Sequence, residues 1–214
     1  MDRMKSTDWA AGLDTRLVGQ LRFIMAADRL KSVTRGNRLA DGSRHENTAE
    51  HSWHLALCAL VLQGHAIDPV DIDRVIRMLI VHDIVEIDSG DTPLFDAANA
   101  VSQAEREQVA ANRLFGLLPA EQAAEFRALW DEFEAIETPD ARFAKALDRF
   151  QPILLDHAVG GGSWTDFAVD EAQLRGLVRP IEQGAPALWV AAEAIFADAV
   201  AKGWLKPAPA APEA

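Results

Sequence analysis

A histidine, an aspartate and a glutamate lie within one strongly apolar stretch of this sequence. The stretch reads RMLIVHDIVEIDSGD and carries His82, Asp83 and Glu86. If the stretch is a helix, each of these three residues lies on the same face as apolar side chains such as Leu79. We therefore expect the three side chains to point inward. A buried carboxylate needs a partner, and imidazole and carboxylate groups together suit divalent first-row metals. The stretch therefore indicates a metal site, although a His-Asp pair alone more often marks a surface-facing helix end.

Two more residues could complete such a site. His51 begins a nearly all-apolar helix, and Asp148 lies among apolar neighbours in RFAKALDRFQPILL. Taken singly, a histidine of this kind is more often a hydrogen-bonded core residue, and a lone helical aspartate is more often solvated. Pro152 has no N–H to donate to the Asp148 carbonyl, so a local kink is expected there. His54, one turn after His51, is interpreted as structural.

Helical patterns dominate the elements that must position these residues. Apolar side chains recur every three to four residues, and no strand alternation of useful length is present. The predicted helices span about 13–31, 51–64, 70–87, 103–116, 119–136, 139–159, 170–183 and 186–203, and a polar loop is predicted over 32–46. These elements predict an all-α fold built as a helical bundle.

Short polar motifs predict where several of these helices begin and end. Residues 47–50 (NTAE) and 102–105 (SQAE) both have the form of a capping box, and Thr138 is followed by a proline at the favoured first helical position. Residues 89–93 (SGDTP) and the three glycines at 160–162 are expected to end helices. The candidate site residues would therefore come from three different helices.

The composition favours one cytoplasmic domain. The 214 residues suffice for a sizeable core, predicted as a single domain over 1–204 with a disordered tail over 205–214. No apolar run reaches the ~18–20 residues of a membrane-spanning helix, no signal-peptide core is visible, and the single cysteine, Cys58, cannot form an internal disulfide. We expect neither a membrane nor nucleic acid as a partner, because a net charge of −12 does not suit a nucleic-acid backbone.

Five short motifs, taken in order, resemble one known family. They read LKSVTR (30–35), EHS (50–52), HDIVE (82–86), GD (90–91) and a late aspartate, Asp148. The order is similar to that of the HD-domain metal-dependent phosphohydrolases, and the neighbouring residues resemble the bacterial 5′-deoxynucleotidase branch with its oxetanocin-like hydrolase relatives. The resemblance covers about residues 30–150. It implies an HD-domain helical bundle that removes phosphate from nucleoside 5′-monophosphates or similar small phosphoesters.

The resemblance also implies residue roles. The implied metal ligands are His51, His82, Asp83 and Asp148. Arg35 would hold the phosphate, and Glu86 and Asp91 would position or protonate reacting groups. One divalent ion is expected, because two-metal relatives add histidines in the interval between 82 and 148, where this sequence has none. Its identity (Mn, Co, Mg, Ni, Fe or Zn) is open.

One position departs from the resembling enzymes. They carry a tryptophan directly after the phosphate-binding arginine, where it shapes the sugar pocket, and this sequence has Gly36. Without a ring there, discrimination between deoxyribose and ribose is expected to be weak. The expectation changes if Trp9, Phe23 or Trp164 fills that volume from elsewhere.

Three other functions stay open at this level. The chain could hydrolyse a different phosphoester such as a signalling nucleotide, act as a non-catalytic sensor of metal and nucleotide, or form a helical bundle with no site. The presence of Arg35, Glu86 and Asp91 favours an enzyme over a sensor, since a sensor does not need all three. The expected partner is a small phosphorylated substrate, most simply a nucleotide, and homodimerisation is left open.

Overall fold

The computed structural model describes residues 10–92, 94–95 and 97–209. Within them the helices are α1 (Thr15–Ala27), α2 (Thr48–Leu62), α3 (Ile72–Val81), α4 (Glu86–Ser89), α5 (Ala97–Phe115), α6 (Ala120–Ala135), α7 (Pro139–Ala158), α8 (Gly162–Asp166), α9 (Glu171–Leu177), α10 (Pro180–Gly184) and α11 (Pro186–Ala201). Two short strands, β1 (Thr34–Arg38) and β2 (His45–Asn47), pair antiparallel. The all-α helical bundle is confirmed. None of the described helices combines the length and apolar character needed to cross a bilayer.

Helix α7 runs through the centre of the fold. It contacts α2, α3, α6, α10 and α11, and most of its side chains are buried. Its start is built as the sequence predicts, because the Thr138 side chain accepts a hydrogen bond from the Ala141 N–H and proline occupies the first turn. Pro152 lies within the helix. Because α7 is enclosed on several sides, a polar residue on it, such as Asp148, is carried into the interior.

Helix α2 packs against α3 and α7. The predicted capping box is present: Asn47 accepts from the Glu50 N–H at 3.0 Å, and the Glu50 carboxylate accepts from the Asn47 N–H at 3.2 Å. These two bonds satisfy N–H groups that a helix start leaves unpaired. They fix the first turn of α2, in which His51 lies.

The buried apolar residues form two clusters that meet at the segment 81–87. The larger cluster joins α2, α3, α6 and α7 to the C-terminal helices, and the smaller one joins α1 to α5. Val81 and Ile84 belong to the smaller cluster, whereas the His82 ring packs 4.7 Å from the ring of Phe133 in the larger one. The polar residues of this segment therefore lie at the junction of the two cores.

The predicted helix over 70–87 is wrong at its C-terminal end. Helix α3 ends at Val81, and the chain continues through tighter bonds from Ile84 N to Val81 O and from Glu86 N to Asp83 O before α4 begins. Bonds between residues three apart align side chains at that spacing. Asp83 and Glu86 are therefore brought onto one side, which a regular helix does not do as closely.

The predicted loop over 32–46 is also wrong, because most of it forms the β1–β2 hairpin. Thr34 pairs with Asn47 and Arg38 with His45, with an irregularity between the two pairs. The sequence TRGNR has little strand propensity, so this pairing follows from the adjoining structure. Gly42, at a φ of 71°, permits the turn.

Three smaller predictions need correction. Residues 102–105 lie inside α5, so they are not a capping box, and the predicted helix over 170–183 is divided into α9 and α10 by Pro180. The segment 205–214 was predicted to be a disordered tail. In its described part Leu205 is buried, and the Lys206 backbone bonds to Val169 O and accepts from Glu171 N. Residues 210–214 lie outside the described residues.

Two glycines provide a matched test of how α10 packs on α7. A Cβ on Gly184 would meet the Arg142 carbonyl and Ala146 Cβ of α7, whereas a Cβ on Gly176 in α9 would meet nothing within 4 Å. We expect Gly184→Ala to lower the free energy of unfolding by ~1–3 kcal/mol or more, because backbone must move. Gly176→Ala should raise it by ~0.5–1 kcal/mol. Denaturant titrations measure both, and an unchanged Gly184→Ala stability contradicts this packing.

Candidate metal centre

Four polar side chains from α2, the α3–α4 turn and α7 meet at the junction of the two cores. Single ligand atoms of His51, His82 and Asp83 all lie within 4.8 Å of one another. Asp148 joins them, with its Oδ1 3.2 Å from His51 Nε2 and 3.7 Å from His82 Nε2. The structure therefore brings together all four residues that the resemblance implies as metal ligands.

Both imidazoles are oriented by the nitrogen that faces away from this cluster. His82 Nδ1 lies 2.8 Å from the Leu79 carbonyl, which can only accept, so Nδ1 donates. His51 Nδ1 in the same way lies 3.1 Å from the amide oxygen of Gln151. The Nε2 atoms then face the aspartates, with His51 Nε2 3.2 Å from Asp148 Oδ1 and His82 Nε2 3.0 Å from Asp83 Oδ1, and they can act as ligands. His82 Nε2 is buried and, despite this short distance, has no hydrogen bond of good geometry among the described residues, as expected of an atom that coordinates an ion.

Gln151 and Glu46 form a second layer behind His51. Gln151 Nε2 donates to Glu46 Oε1 at 2.9 Å and lies 3.1 Å from His54 Nδ1. Sequence reasoning missed both residues. Gln151 could have been found, because it lies three residues after Asp148 on α7 and therefore on the same face. Glu46 could not, because its place depends on the hairpin.

The hairpin carries Arg35 into a ring of carboxylates. Arg35 Nη1 lies 3.0 Å from Asp83 Oδ2, 3.7 Å from Asp91 Oδ1 and 3.9 Å from Glu86 Oε1. Arg35 Nε lies 3.9 Å from Glu46 Oε2, and both atoms are buried without hydrogen-bond partners. Four carboxylates thus surround one guanidinium. Burial opposes the charge on Arg35, but the carboxylates outweigh it and raise its pKa. The excess negative charge suits a bound cation.

His82, Asp83 and Asp148 differ in pKa from ordinary side chains. Burial alone would lower the pKa of His82, but the Asp83 and Asp148 carboxylates outweigh it and raise that pKa to about 10. Burial alone would raise the pKa of Asp83, yet His82 and Arg35 bring it to about 2. Burial alone would also raise the pKa of Asp148, but the neighbouring His51 and His82 rings outweigh it and hold that pKa well below its usual range. Both carboxylates are thus kept ionised as ligands.

The carboxyl groups of Glu86 and Asp91, in contrast, have raised pKa values. Burial and the nearby Asp83 carboxylate raise the pKa of Glu86 well above its usual range, although Thr48 Oγ1 donates to it at 2.9 Å. Burial also raises the pKa of Asp91, against the effect of Arg35 and a bond from the Gly36 N–H. Each of these carboxyl groups can therefore hold a proton closer to neutral pH than an exposed one.

A cavity of about 270 Å³ adjoins this cluster, and its lining combines charged and apolar side chains. The charged side chains that line it include Arg35, Asp83 and Asp91 together with Lys145 and Arg149 of α7. The apolar and aromatic side chains that line it are Leu94, Phe95, Pro152, Ile153, Trp164, Phe167, Leu174 and Val178. The volume is near the lower limit for small-molecule pockets.

Gly36 borders the cavity, and a Cβ there would meet nothing within 4 Å. Of the aromatic residues considered as substitutes for the missing tryptophan, Trp164 lines the cavity. Phe23 packs instead against Phe126 in the smaller core cluster, and Trp9 lies outside the described residues. The space beside Gly36 is thus open, with one candidate ring nearby.

Comparison with known proteins gives the class that this fold and site define. Residues 27–189 match the family model described as HD domain, so the chain belongs to the HD-domain family, as the motifs predict. A conserved hypothetical protein from Pyrococcus furiosus shares the fold, with a TM-score of 0.54 at 22% identity over 76% of this chain and 97% of that one.

More similar proteins carry functional names. The crystal structure of a predicted metal-dependent phosphohydrolase from Magnetospirillum magnetotacticum MS-1 superposes with a TM-score of 0.85 at 49% identity, over 91% of this chain and all of that one. The 5′-deoxynucleotidase HDDC2 of Mus musculus is 32% identical over 64% of this chain and 67% of its own length. The 5′-deoxynucleotidase PM0747 of Pasteurella multocida is 33% identical over 54% of this chain and 64% of its own length. The chain thus matches about two thirds of these nucleotidases.

The Gln151 contact predicts an effect on metal binding. In Gln151→Leu the His51 ring loses the acceptor that fixes its tautomer, so we expect affinity for Mn²⁺ to fall about 10–100-fold, as for other residues behind metal ligands. Titration calorimetry measures this without turnover. Gln63→Leu, in which the altered amide bonds only to Leu60 O near the surface, is the control and should bind as the wild type does. Equal affinities in both variants would show that Gln151 does not orient His51.

Proposed function

We propose that this chain is a divalent-metal-dependent phosphohydrolase that removes phosphate from nucleoside 5′-monophosphates. The observation that carries the proposal is one cavity that adjoins the four candidate ligands, of which His82, Asp83 and Asp148 line it, and whose lining also contains Arg35 and several apolar and aromatic side chains. A nucleoside monophosphate combines the same two characters, a dianionic phosphate and a planar base. The names of the relatives support the phosphohydrolase class predicted from the sequence.

The proposed ligands of one divalent ion are His51, His82, Asp83 and Asp148. Two imidazoles and two ionised carboxylates fit such an ion in donor type, and the buried His82 Nε2, which has no hydrogen bond of good geometry among the described residues, supports the assignment. Because the neighbouring carboxylates raise the pKa of His82, the ion would displace a proton from this ring when it binds. When bound, a divalent ion lowers the pKa of water and offsets charge on phosphorus. Gln151 and Leu79 hold the two imidazoles in the tautomers that this set requires.

Three positive side chains that line the cavity are proposed to receive the phosphate. Arg35, on β1, can bind two phosphate oxygens at once through its planar guanidinium. Lys145 Nζ and Arg149 Nε, on α7, each lie 3.9 Å from Asp148 Oδ2. Lys145 is buried, with its ammonium over the Phe133 ring and 3.4 Å from Glu134. Lys145 and Arg149 were not identified from the sequence.

Glu86 and Asp91 are proposed to move protons. Both line the cavity beside Arg35. From there they can reach water or a phosphoester oxygen. Glu86 would orient the attacking water, and Asp91 would donate a proton to the leaving oxygen. Their raised pKa values support these roles, because an effective acid or base titrates near the working pH.

The proposal is tested with paired deoxyribo- and ribonucleoside 5′-monophosphates, each assayed with several divalent metals. We expect metal-dependent release of phosphate from both members. Because the space beside Gly36 is open, the kcat/KM ratio should be about ten rather than a thousand, as steric pocket differences are worth ~1–3 kcal/mol. A ratio above about a thousand would show that another residue, such as Trp164, excludes the 2′-hydroxyl. Failure to hydrolyse either member would contradict the proposed substrate class.

Variants that neutralise Glu86 or Asp91 distinguish a role in proton transfer from a role in metal binding. Glu86→Gln and Asp91→Asn should each retain the metal but lose about 10²-fold or more in kcat, since each removes a positioned acid or base. Asp88→Asn, whose carboxylate pairs with Arg113 outside the cavity, is the control and should retain full activity. Loss of metal from the Glu86 or Asp91 variant, measured by titration calorimetry, would show that the residue is a ligand instead.

A further inference from the structure

Asp156 is a buried carboxylate in the cavity wall that lies away from the candidate metal ligands. It is 1% exposed and follows Asp148 by eight residues on α7, which corresponds to roughly 12 Å along the helix. Pro152 and Ile153, which also line the cavity, lie between the two aspartates in the chain. A carboxylate so far from the proposed cation needs other groups to compensate for the water it loses.

The glycine-rich turn between α7 and α8 supplies two of these groups. The Ser163 N–H donates to Asp156 Oδ1 at 3.0 Å, and the Ser163 hydroxyl donates to Oδ2 at 2.5 Å. Gly162 has a φ of 42°, and a Cβ on it would collide with Oδ1. Glycine therefore lets the turn approach the carboxylate this closely. The turn fixes the Asp156 side chain in a part of the cavity wall that Ser163 also lines.

Asn37 of β1 is the third group at this carboxylate. Burial raises the pKa of Asp156 to about 6, and hydrogen bonds from Ser163 and Asn37 oppose the rise. Above that pH the aspartate has no proton to donate, so the amide nitrogen of Asn37 faces it. The Asn37 carbonyl oxygen, Oδ1, then points away from Asp156. Because Asn37 also lines the cavity, Oδ1 is available there as a hydrogen-bond acceptor.

Strand β1 fixes the distance from Asn37 to the proposed phosphate-binding residue. Arg35 and Asn37 are two residues apart on this strand, and both line the cavity. Two residues of a strand span about 7 Å. Gly36, between them, is held by its N–H, which bonds to Asp91, and by its carbonyl, which lies 3.1 Å from His45 Nδ1. A ligand group that meets Asn37 is therefore the neighbour of a group bound by Arg35.

The sugar occupies this neighbouring position in a nucleoside 5′-monophosphate. A phosphate bound by Arg35 places the sugar beside Gly36 and Asn37, and the space next to Gly36 is open. The free polar groups of a sugar are hydroxyls, each of which can donate one hydrogen bond. An acceptor such as Asn37 Oδ1 has the complementary chemistry.

We propose that Asn37 is a specificity-determining residue whose Oδ1 accepts a hydrogen bond from a hydroxyl of the substrate sugar, and that Asp156 is the positioning residue that fixes this orientation of the amide. The inference rests on the proposed function, because it takes the substrate to be a nucleotide. The 2′- and 3′-hydroxyls offer the same chemistry, and two analogues distinguish them. An analogue without the contacted hydroxyl leaves Oδ1 unpaired in the cavity wall and is therefore disfavoured.

The first experiment compares kcat/KM for a ribonucleoside 5′-monophosphate with that for its 2′-deoxy and 3′-deoxy analogues, using the full chain loaded with Mn²⁺. We expect the wild type to prefer the ribonucleotide about 10-fold over one of the analogues, which identifies the contacted hydroxyl. Asn37→Ala should lower kcat/KM about 10-fold for substrates that carry this hydroxyl and leave it unchanged for the analogue that lacks it. Asn112→Ala, in which the altered side chain accepts from Arg127 at the surface, is the matched control and should keep the preference.

Three outcomes of this experiment overturn the inference. The wild type shows no preference for either hydroxyl, the preference persists in Asn37→Ala, or Asn37→Ala lowers kcat/KM by the same factor for all three substrates. Each of these outcomes leaves the proposed function intact, since nucleotides are hydrolysed. Hydrolysis of none of the three nucleotides contradicts the proposed function itself and the inference with it.

The second experiment tests whether Asp156 acts through Asn37. Asp156→Asn preserves the size of the side chain but offers one acceptor oxygen instead of two, which releases the Asn37 amide. We expect the preference for the hydroxyl to fall about 3-fold or more. Combining Asp156→Asn with Asn37→Ala should give the same preference as Asn37→Ala alone, because both changes remove one interaction. Thermal unfolding checks that each variant is folded. A wild-type preference in Asp156→Asn, or equal losses of kcat/KM on all three substrates, overturns the positioning role of Asp156.

Discussion

Ionised carboxylates are stable inside a protein only when cations or hydrogen-bond donors compensate for the water they lose. This constraint governs the centre of the present fold, where Asp83 and Asp148 lie at the junction of two apolar cores. Their compensation comes from His51, His82 and Arg35. Further carboxylates at Glu46, Glu86 and Asp91 leave an excess of negative charge around one guanidinium. A divalent cation bound at this point would remove the excess, and metal binding would then depend on the same residues as the integrity of the core.

Each structural element contributes one part of this compensation. The central helix α7 supplies Asp148 and, one turn later, the Gln151 that orients His51. The tight turn between α3 and α4 aligns Asp83 with Glu86, and the hairpin brings Arg35 and Glu46 from a segment with little propensity of its own. The cavity beside this cluster is also lined by Gly36 and by aromatic side chains of α8 and its neighbours. Its lining thus combines charged groups, which would suit a phosphate, with apolar ones.

The sequence indicated which polar residues lie together at the candidate site better than it predicted the elements that hold them. His82 and Asp83 were recognised because charged groups within an apolar run are energetically unusual, and the helix starts at Asn47 and Thr138 were recognised because capping depends on local chemistry. The hairpin and the turn after Val81 were not, because both are imposed by tertiary contacts that no local pattern encodes. Glu46, Lys145 and Arg149 were missed for the same reason: an isolated charged residue usually indicates a solvated side chain. Only the packing of α7 against the hairpin and α6 brings Glu46 to Gln151, and Lys145 and Arg149 to the cavity.

One divalent ion bound by His51, His82, Asp83 and Asp148 can be located by anomalous diffraction at the manganese edge, from crystals of the wild-type chain grown with Mn²⁺. We expect one strong peak at the junction of the two cores, with His51 Nε2, His82 Nε2 and an oxygen of each aspartate about 2.0–2.3 Å away. A peak whose ligands exclude Asp148 or either histidine would show that these four residues do not form the metal site, as would an ion bound elsewhere in the cavity.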